Sequence, residues 1–281
     1  SSDVCSSDLL GLIVMISVIR SGMDAALQNL DVTSNNIANA RTTGYKKQEA
    51  RFTDMYSSAI TSPTGDRLGI GVQTPEITMS QKQGNLQKTN GVLDLAVEGN
   101  GLFQLQDEAN PEKSLFTRDG SFTLTNEGTI VNRDGFSLMS SNAGPISIPL
   151  EAAGIVTADG LQAFGTLRRL TSVAIRENGN IEATYGSTNT VIIGKVGLTL
   201  FSDPNRLKPV GANLFQSSGG SGRGVMGAAI TGGRGKIHSG ALEMANTNIT
   251  EELTNMIRAQ QAFSGSSRLL QSEAEMVKKF L

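Results

Sequence analysis

The chain has 281 residues, enough for a substantial core and two or three domains, and its 24 basic and 26 acidic side chains leave a net charge of -2. That balance sets up no global field to recruit nucleic acid or an acidic surface. A single cysteine, Cys5, excludes an internal disulfide framework and any multi-cysteine metal site, and a single histidine, His238, excludes every site that needs two.

Taken in chain order, the first stretch is polar and serine-rich from Ser1 to Leu9, then nearly all apolar from Leu9 to Ile19. A membrane-spanning helix takes about 20 apolar residues, so this run is too short. Asp3 and Asp8 stand where a secretory signal has basic residues, and no small-x-small cleavage site follows. Residues 1–14 are therefore read as a non-native or disordered leader and Met15 as the natural start, with no cleavable signal. From Ile16 to about Ala38 the apolar positions Ile16, Ile19, Met23, Leu27, Leu30 and Ile37 step mostly by three and four, one face of a helix. Asn35, Asn36, Asn39 and Gly44 then supply a stop and a turn, because asparagine side chains bond nearby backbone and tolerate left-handed conformations. Gln48 to Ile60 reads as a second, short helix with Phe52, Met55, Tyr56 and Ile60 on one side, giving an N-terminal helical segment over 15–61.

Ser62 to Gly71 reads as a loop, and strand signals recur from Val72 to Phe215. Leu93, Leu95 and Val97 alternate. Turn pairs such as Asn100-Gly101, Asp119-Gly120, Asp134-Gly135 and Asn178-Gly179 punctuate short β-rich runs. Pro145 to Leu170 is an excursion or a bridge, and glycine-rich Ser217 to Gly235 a flexible connector or an irregular β return, so 62–235 is expected to be a central β domain with loop excursions. The remainder, 236–281, is assigned to a C-terminal helix. Asn248 suits its N-cap and Glu251 the capping-box position. Its apolar stripe runs Ile249, Leu253, Met256, Ile257, Phe263, Leu270, Val277, Leu281. A helix of some 30 residues is about 45 Å long. Coiled-coil pairing is the usual reason for such length.

The chemical motifs are weak. Gly222 to Gly227 matches G-x-G-x-x-G, but it lies inside a glycine-rich run rather than between a strand and a helix. Arg223, Arg234 and Lys236 lack interleaved aromatics to stack bases. No nucleophile motif lies near His238, and Asp94, Glu98, Asp119 and Asp134 sit in turn contexts where carboxylates bond their own backbone. No catalytic residue, cofactor, metal, small-molecule substrate or nucleic-acid partner is assigned.

Two helical stripes at opposite ends need cover, and pairing them with each other and with neighbouring copies explains both their length and their position. The fold class is α+β: long N- and C-terminal helices pairing as a coiled-coil-like stem, with a central mainly-β domain. The expected packing sets Ile16, Ile19, Met23, Leu27 and Leu30 against Leu253, Met256, Ile257, Phe263 and Leu270. The assembly interface adds Asn35, Asn36, Ile37, Asn39, Gly44, Tyr45 and Val277.

Four segments resemble the bacterial flagellar rod and hook family, the axial proteins of the basal body. Leu30–Lys46 is similar to the family's N-terminal signature. Gln83–Leu86 with Asp94–Phe103, followed by Phe116–Phe122 and Gly128–Val131, resembles its central part. Leu207–Phe215 resembles the stretch leaving the β domain, and Ser239–Glu243 with Asn248–Phe263 the C-terminal helix signature. The resemblance implies a structural subunit without enzymatic activity or cofactor, exported by the flagellar type III apparatus without a cleaved signal. It implies self-assembly, with other rod and hook proteins and inside ring proteins, into a periplasm-spanning tube that transmits torque. The length suits a distal or proximal rod subunit; a hook protein is the alternative. A surface coiled-coil adhesin, or a β-rich glycan hydrolase with a carboxylate pair about 5 to 9.5 Å apart, is more remote.

Overall fold

The structure, a computed structural model, describes residues 2–61, 67–107, 110, 113–142, 144–157, 160–186 and 189–280. The chain divides into two units, one holding the residues up to Ala40 with Lys47–Ser80 and Thr247 onward, the other holding Arg41–Lys46 and Gln81–Asn246.

The first unit contains helix α1 (Ser2–Ala38), strands β1 (Gln48–Thr61) and β2 (Arg67–Met79), and helix α2 (Ile249–Phe280). α1 includes the stretch read as a leader; its side chains before Met15 lie outside the described residues. It stops at Asn39, whose side-chain amide donates to the Asn35 carbonyl at 3.0 Å and to the Asn35 side chain at 2.7 Å. At the start of α2, Asn248 accepts from the Thr250 amide at 3.0 Å, satisfying a first-turn N–H as an N-cap does. Glu251 does not close a capping box; it reaches Lys47 at 3.2 Å. Leu281, the last residue of the predicted stripe, lies outside the described residues.

Three boundaries differ from the sequence expectation. Gln48–Ile60 is strand, not helix: β1 pairs antiparallel with β2 from Gln48 opposite Met79 to Thr61 opposite Arg67. Phe52, Met55, Tyr56 and Ile60 fit a helix face, but the β-branched partner strand with Val72, Ile77 and Thr78 decides the conformation, a tertiary effect that local pattern does not contain. β2 also begins inside the predicted loop, of which residues 62–66 lie outside the described residues, and it belongs with the helices rather than with the β domain. Finally, residues 236–243 are not helical. Lys236–Ser239 pairs with Leu95–Glu98, and Ala241–Glu243 with Leu86–Lys88.

The second unit is built from antiparallel strands. Its larger sheet runs Lys208–Gly211, Leu214–Gln216, Ser114–Thr117, Leu102–Gln106, Ser137–Leu138, Ile130–Val131, Thr123–Leu124, with Gly197–Leu200 and Val225–Ala228 branching from Leu102–Gln106. A four-stranded sheet follows from Glu151–Thr157, Gly160–Ile175, Asn180–Tyr185 and Asn189–Lys195. Alternation does the burying: Ile181, Ala183 and Tyr185 point inward from one strand and join Leu95, Phe103, Leu105, Ile148 and Leu198 in the core. The Asn178-Gly179 turn is a real hairpin, with Gly179 at φ +81°. Gly120 is required for another reason, since a Cβ there would run into the Leu95 carbonyl.

Candidate assembly surface

The two long helices pack on each other within the first unit. The C-terminal end of α1 meets the N-terminal end of α2, so the pair is antiparallel: Asn36 bonds Glu252, while Gly22, Ala25, Ala26 and Asn29 share a groove with Arg258, Ala259 and Ala262. On α2 the less exposed positions are Glu252, Met256, Ala259, Phe263, Ser266, Leu270, Glu273 and Val277, with Asn255 and Ser267 beside them. The first eight are spaced four, three, four, three throughout, the spacing of a seam facing one partner helix.

The α1 side of the groove is the helix's small-residue face. Ala26, Val32, Thr33 and Asn36 are buried there. Small side chains let helix backbones approach closely. The larger predicted stripe lies to one side of it: Ile16, Ile19, Met23, Leu30 and Ile37 are half-buried, and Leu27 is exposed. Of the α2 partners assigned to that stripe, Met256, Phe263 and Leu270 are half-buried, as is Val277 of the wider interface, whereas Leu253 and Ile257 are 46% and 54% exposed. Leu253 and Ile257 therefore keep about half of their surface open within one molecule. With Ile249 they form an uncovered apolar strip flanking the seam, on an i, i+4 row.

A buried polar lock closes the end of the pair. The Asn36 side-chain amide donates to the Gln48 carbonyl at 2.9 Å and to Glu252 at 3.1 Å, and its oxygen accepts from the Gln48 amide at 2.9 Å. Asn36 and Glu252 are both 1% exposed. Lys47 completes the site, its ammonium 2.7 Å from the other Glu252 oxygen. Burial works against that ammonium, but donating hydrogen bonds to Glu252 and Glu251, with their charges, outweighs it and holds the Lys47 pKa above the ordinary lysine value. A buried polar contact fixes register, because any slip strands a carboxylate and an amide without partners. Further along the seam Glu273 is 2% exposed, and one of its oxygens has no partner among the described residues.

The sequence pattern marks Asn36 without its role, and marks neither Gln48 and Glu252 as its partners nor Lys47 as the cation beside Glu252. The available signal is a glutamate on the four-three spacing of the α2 seam. Asn35 is exposed and Asn39 half-buried, tied to each other at the helix end. Gly44 and Tyr45 are buried in the other unit, where the Gly44 amide donates to the Glu243 carbonyl at 2.7 Å. The β1–β2 ribbon leaves Phe52, Met55, Tyr56 and Ile77 exposed.

The weighed catalytic groups are occupied locally. Asp94 accepts from the Thr89 hydroxyl at 2.6 Å, and Asp119 accepts from the Ser121 amide and hydroxyl. Glu98 lies 2.6 Å from His238 and 3.1 Å from Lys236. Those hydrogen bonds, His238 first, hold its carboxyl below the usual range.

Comparison with known proteins places this architecture. Residues 16–46 match a family described as flagella basal body rod protein, residues 96–183 the flagellar hook protein FlgE/F/G D1 domain, and residues 238–281 the flagellar basal body rod FlgEFG protein C-terminal region. The flagellar basal-body rod protein FlgG of Buchnera aphidicola subsp. Acyrthosiphon pisum is 31% identical, the match covering 95% of this chain and 98% of that one. FlgG of Agrobacterium fabrum is 32% identical over 93% and 95%. FlgF of Caulobacter vibrioides is 26% identical over 89% of each. A solved structure, the Helicobacter pylori flagellar hook protein FlgE2, is matched at 15% identity and a TM-score of 0.24 over 70% of this chain and 35% of that one, too loose a superposition to argue from.

Proposed function

Since the chain belongs to the bacterial flagellar basal-body rod and hook protein family and is a structural subunit of the flagellar rod, we propose that its terminal helices form the spine through which copies join into the axial tube. In each copy α1 and α2 form a coiled-coil-like stem, held in register by Asn36, Lys47 and Glu252. Neighbouring copies then cover Ile249, Leu253 and Ile257 and the large apolar side of α1. A fully buried large apolar side chain contributes roughly 1.5 to 3 kcal/mol before entropy. Contacts that do not close a ring repeat along a helical filament, so modest interfaces add up to a stiff tube that carries torque from motor to hook. The β1–β2 ribbon, with Phe52, Tyr56 and Ile77 exposed, is a second surface that copies cover, since a two-stranded ribbon is marginal on its own.

One observation carries this reading. α2 has two different apolar faces, a seam already paired inside the molecule and a strip beside it, at Ile249, Leu253 and Ile257, that is not. A role in the rod rather than the hook follows from rod-protein relatives that align over nearly the whole of both chains. The other axial proteins of rod and hook are its neighbours, the rings around the rod its surroundings, and the flagellar type III apparatus its route out. The test is electron microscopy of purified protein over a concentration series. Tubes above a critical concentration, lost in Leu253→Asp, support the reading; wild-type protein that stays dispersed at millimolar concentration overturns it.

A further inference from the structure

A buried ionic cluster lies within the β unit. The Glu243 carboxylate is 1% exposed. One oxygen accepts from the Lys46 ammonium at 2.7 Å and the Gly84 amide at 2.9 Å, and the other from Arg118 at 3.1 Å. Arg118 also donates to the carbonyls of Val97 and Gly99. Lys46 donates in addition to the Lys82 carbonyl at 2.8 Å, which takes a second bond from the Asn246 side-chain amide at 2.9 Å. Main-chain bonds run the same way, from the Gly44 amide to the Glu243 carbonyl and from the Met244 amide to the Asn85 carbonyl.

The segments so tied are Arg41–Lys46, Gln81–Asn85 and Glu243–Asn246, the stretches at which this unit's chain begins and ends. The cluster is a poor choice for stability alone. Two cations share one carboxylate in a desolvated place, and burying such groups commonly costs as much as their attraction returns. Burial pulls the Lys46 ammonium below the ordinary lysine value, against the pull of Glu243. Apolar side chains fill the rest of the core and would pack these segments too. Directional bonds add something packing lacks: each segment has one position and one register.

We propose that Glu243 is a positioning residue for assembly: it clamps the β unit's chain ends together so that both terminal helices leave from fixed points. This rests on the rod reading. The test compares full-length wild type, Glu243→Gln, Lys46→Met and the double variant with Ile148→Val, a core control that loses stability without touching the clamp. Two quantities are measured, amide hydrogen exchange in the monomer and the critical concentration for tubes. In Glu243→Gln, protection of the Gly44 and Gly84 amides falls at least tenfold, that of Leu105 and Ile181 holds, and the critical concentration rises at least tenfold. Lys46→Met keeps the Arg118–Glu243 pair and so keeps its fold, yet loosens Gly44 and raises the critical concentration. The double variant is no worse than Glu243→Gln, because removing Lys46 as well returns the cluster to the wild-type net charge of one, carried by Arg118. Ile148→Val stays within twofold of wild type in assembly. The proposal is overturned if loosened Gly44 and Gly84 leave assembly unchanged, if these amides stay protected, or if Ile148→Val impairs assembly as much as the clamp variants do. Wild type that forms no tubes overturns the rod reading itself, which the exchange measurement distinguishes.

Discussion

Asn36→Asp changes the polar lock without changing its shape. The wild-type amide donates to the Gln48 carbonyl at 2.9 Å and to Glu252 at 3.1 Å. An aspartate sets a third acceptor against both. Two like charges that close repel by roughly 4 kcal/mol or more at an effective dielectric near 20. The new carboxyl escapes by binding a proton, which costs about 1.4 kcal/mol for each pH unit above its ordinary pKa near 3.9. That bounds the electrostatic penalty at pH 7 to about 4 kcal/mol, and Lys47, 2.7 Å from Glu252, offsets part of it. We therefore expect the helical unit to lose about 3 kcal/mol at pH 7. The folded state raises the aspartate's pKa, so the loss is largest above that raised value and shrinks as pH falls toward about 4. Roughly 1 kcal/mol then remains, for the donor bond that a protonated carboxyl cannot replace. Urea denaturation between pH 5 and 8, with exchange of the Gln48 amide as a local reporter, measures it. A loss under about 1 kcal/mol at pH 7, or one that does not vary with pH, refutes the lock as described.

Other substitutions separate the two faces of α2. Leu253→Asp, at a position 46% exposed, should change monomer stability by no more than about 0.5 kcal/mol in urea, while sedimentation finds no polymer. Phe263→Ala, on the half-buried seam, should cost about 2 kcal/mol of monomer stability, less than the 3 to 5 of a fully enclosed ring; equal effects of the two variants on the monomer would contradict the division. In the β unit, burial pushes the Tyr185 phenol up to about 12, with its hydroxyl donating to the Pro149 carbonyl at 2.8 Å. A raised folded-state pKa gives stability that is complete below pH 10 and lost as pH rises toward 12, at most about 2.7 kcal/mol. Alkaline unfolding alongside Tyr185→Phe checks it: the variant should lack that share of the pH dependence.

Much of this fold is legible in the residues, and the gaps have physical causes. The long C-terminal helix and its Asn248 cap follow from local chemistry, since a side-chain oxygen on a first-turn N–H needs only neighbours in sequence. The turn at Asn178-Gly179 is local in the same sense. The choice of seam is not. Large apolar residues draw the eye to Ile16, Ile19, Met23 and Leu27, yet the groove uses Gly22, Ala25 and Ala26, because close approach depends on what is small. Glu252 reads as a favourable charge at a helix start until its partners Asn36 and Lys47, over two hundred residues away, come into view. β1 shows the same limit. Phe52, Met55 and Tyr56 fit two periodicities, and only the register with β2 selects one. The segments that carry the family resemblance hold residues of these long-range contacts, among them Asn36, Lys46 and Glu252.

One face of the terminal helices pairs within a molecule, and we propose that the adjoining face joins molecules. Electron cryo-microscopy of assembled tubes tests it most directly. It should find Asn36 on Glu252 of its own copy, and Ile249, Leu253 and Ile257 covered by a neighbour. Tubes in which α1 pairs with the α2 of another copy, or in which that apolar strip stays open to water, would contradict it.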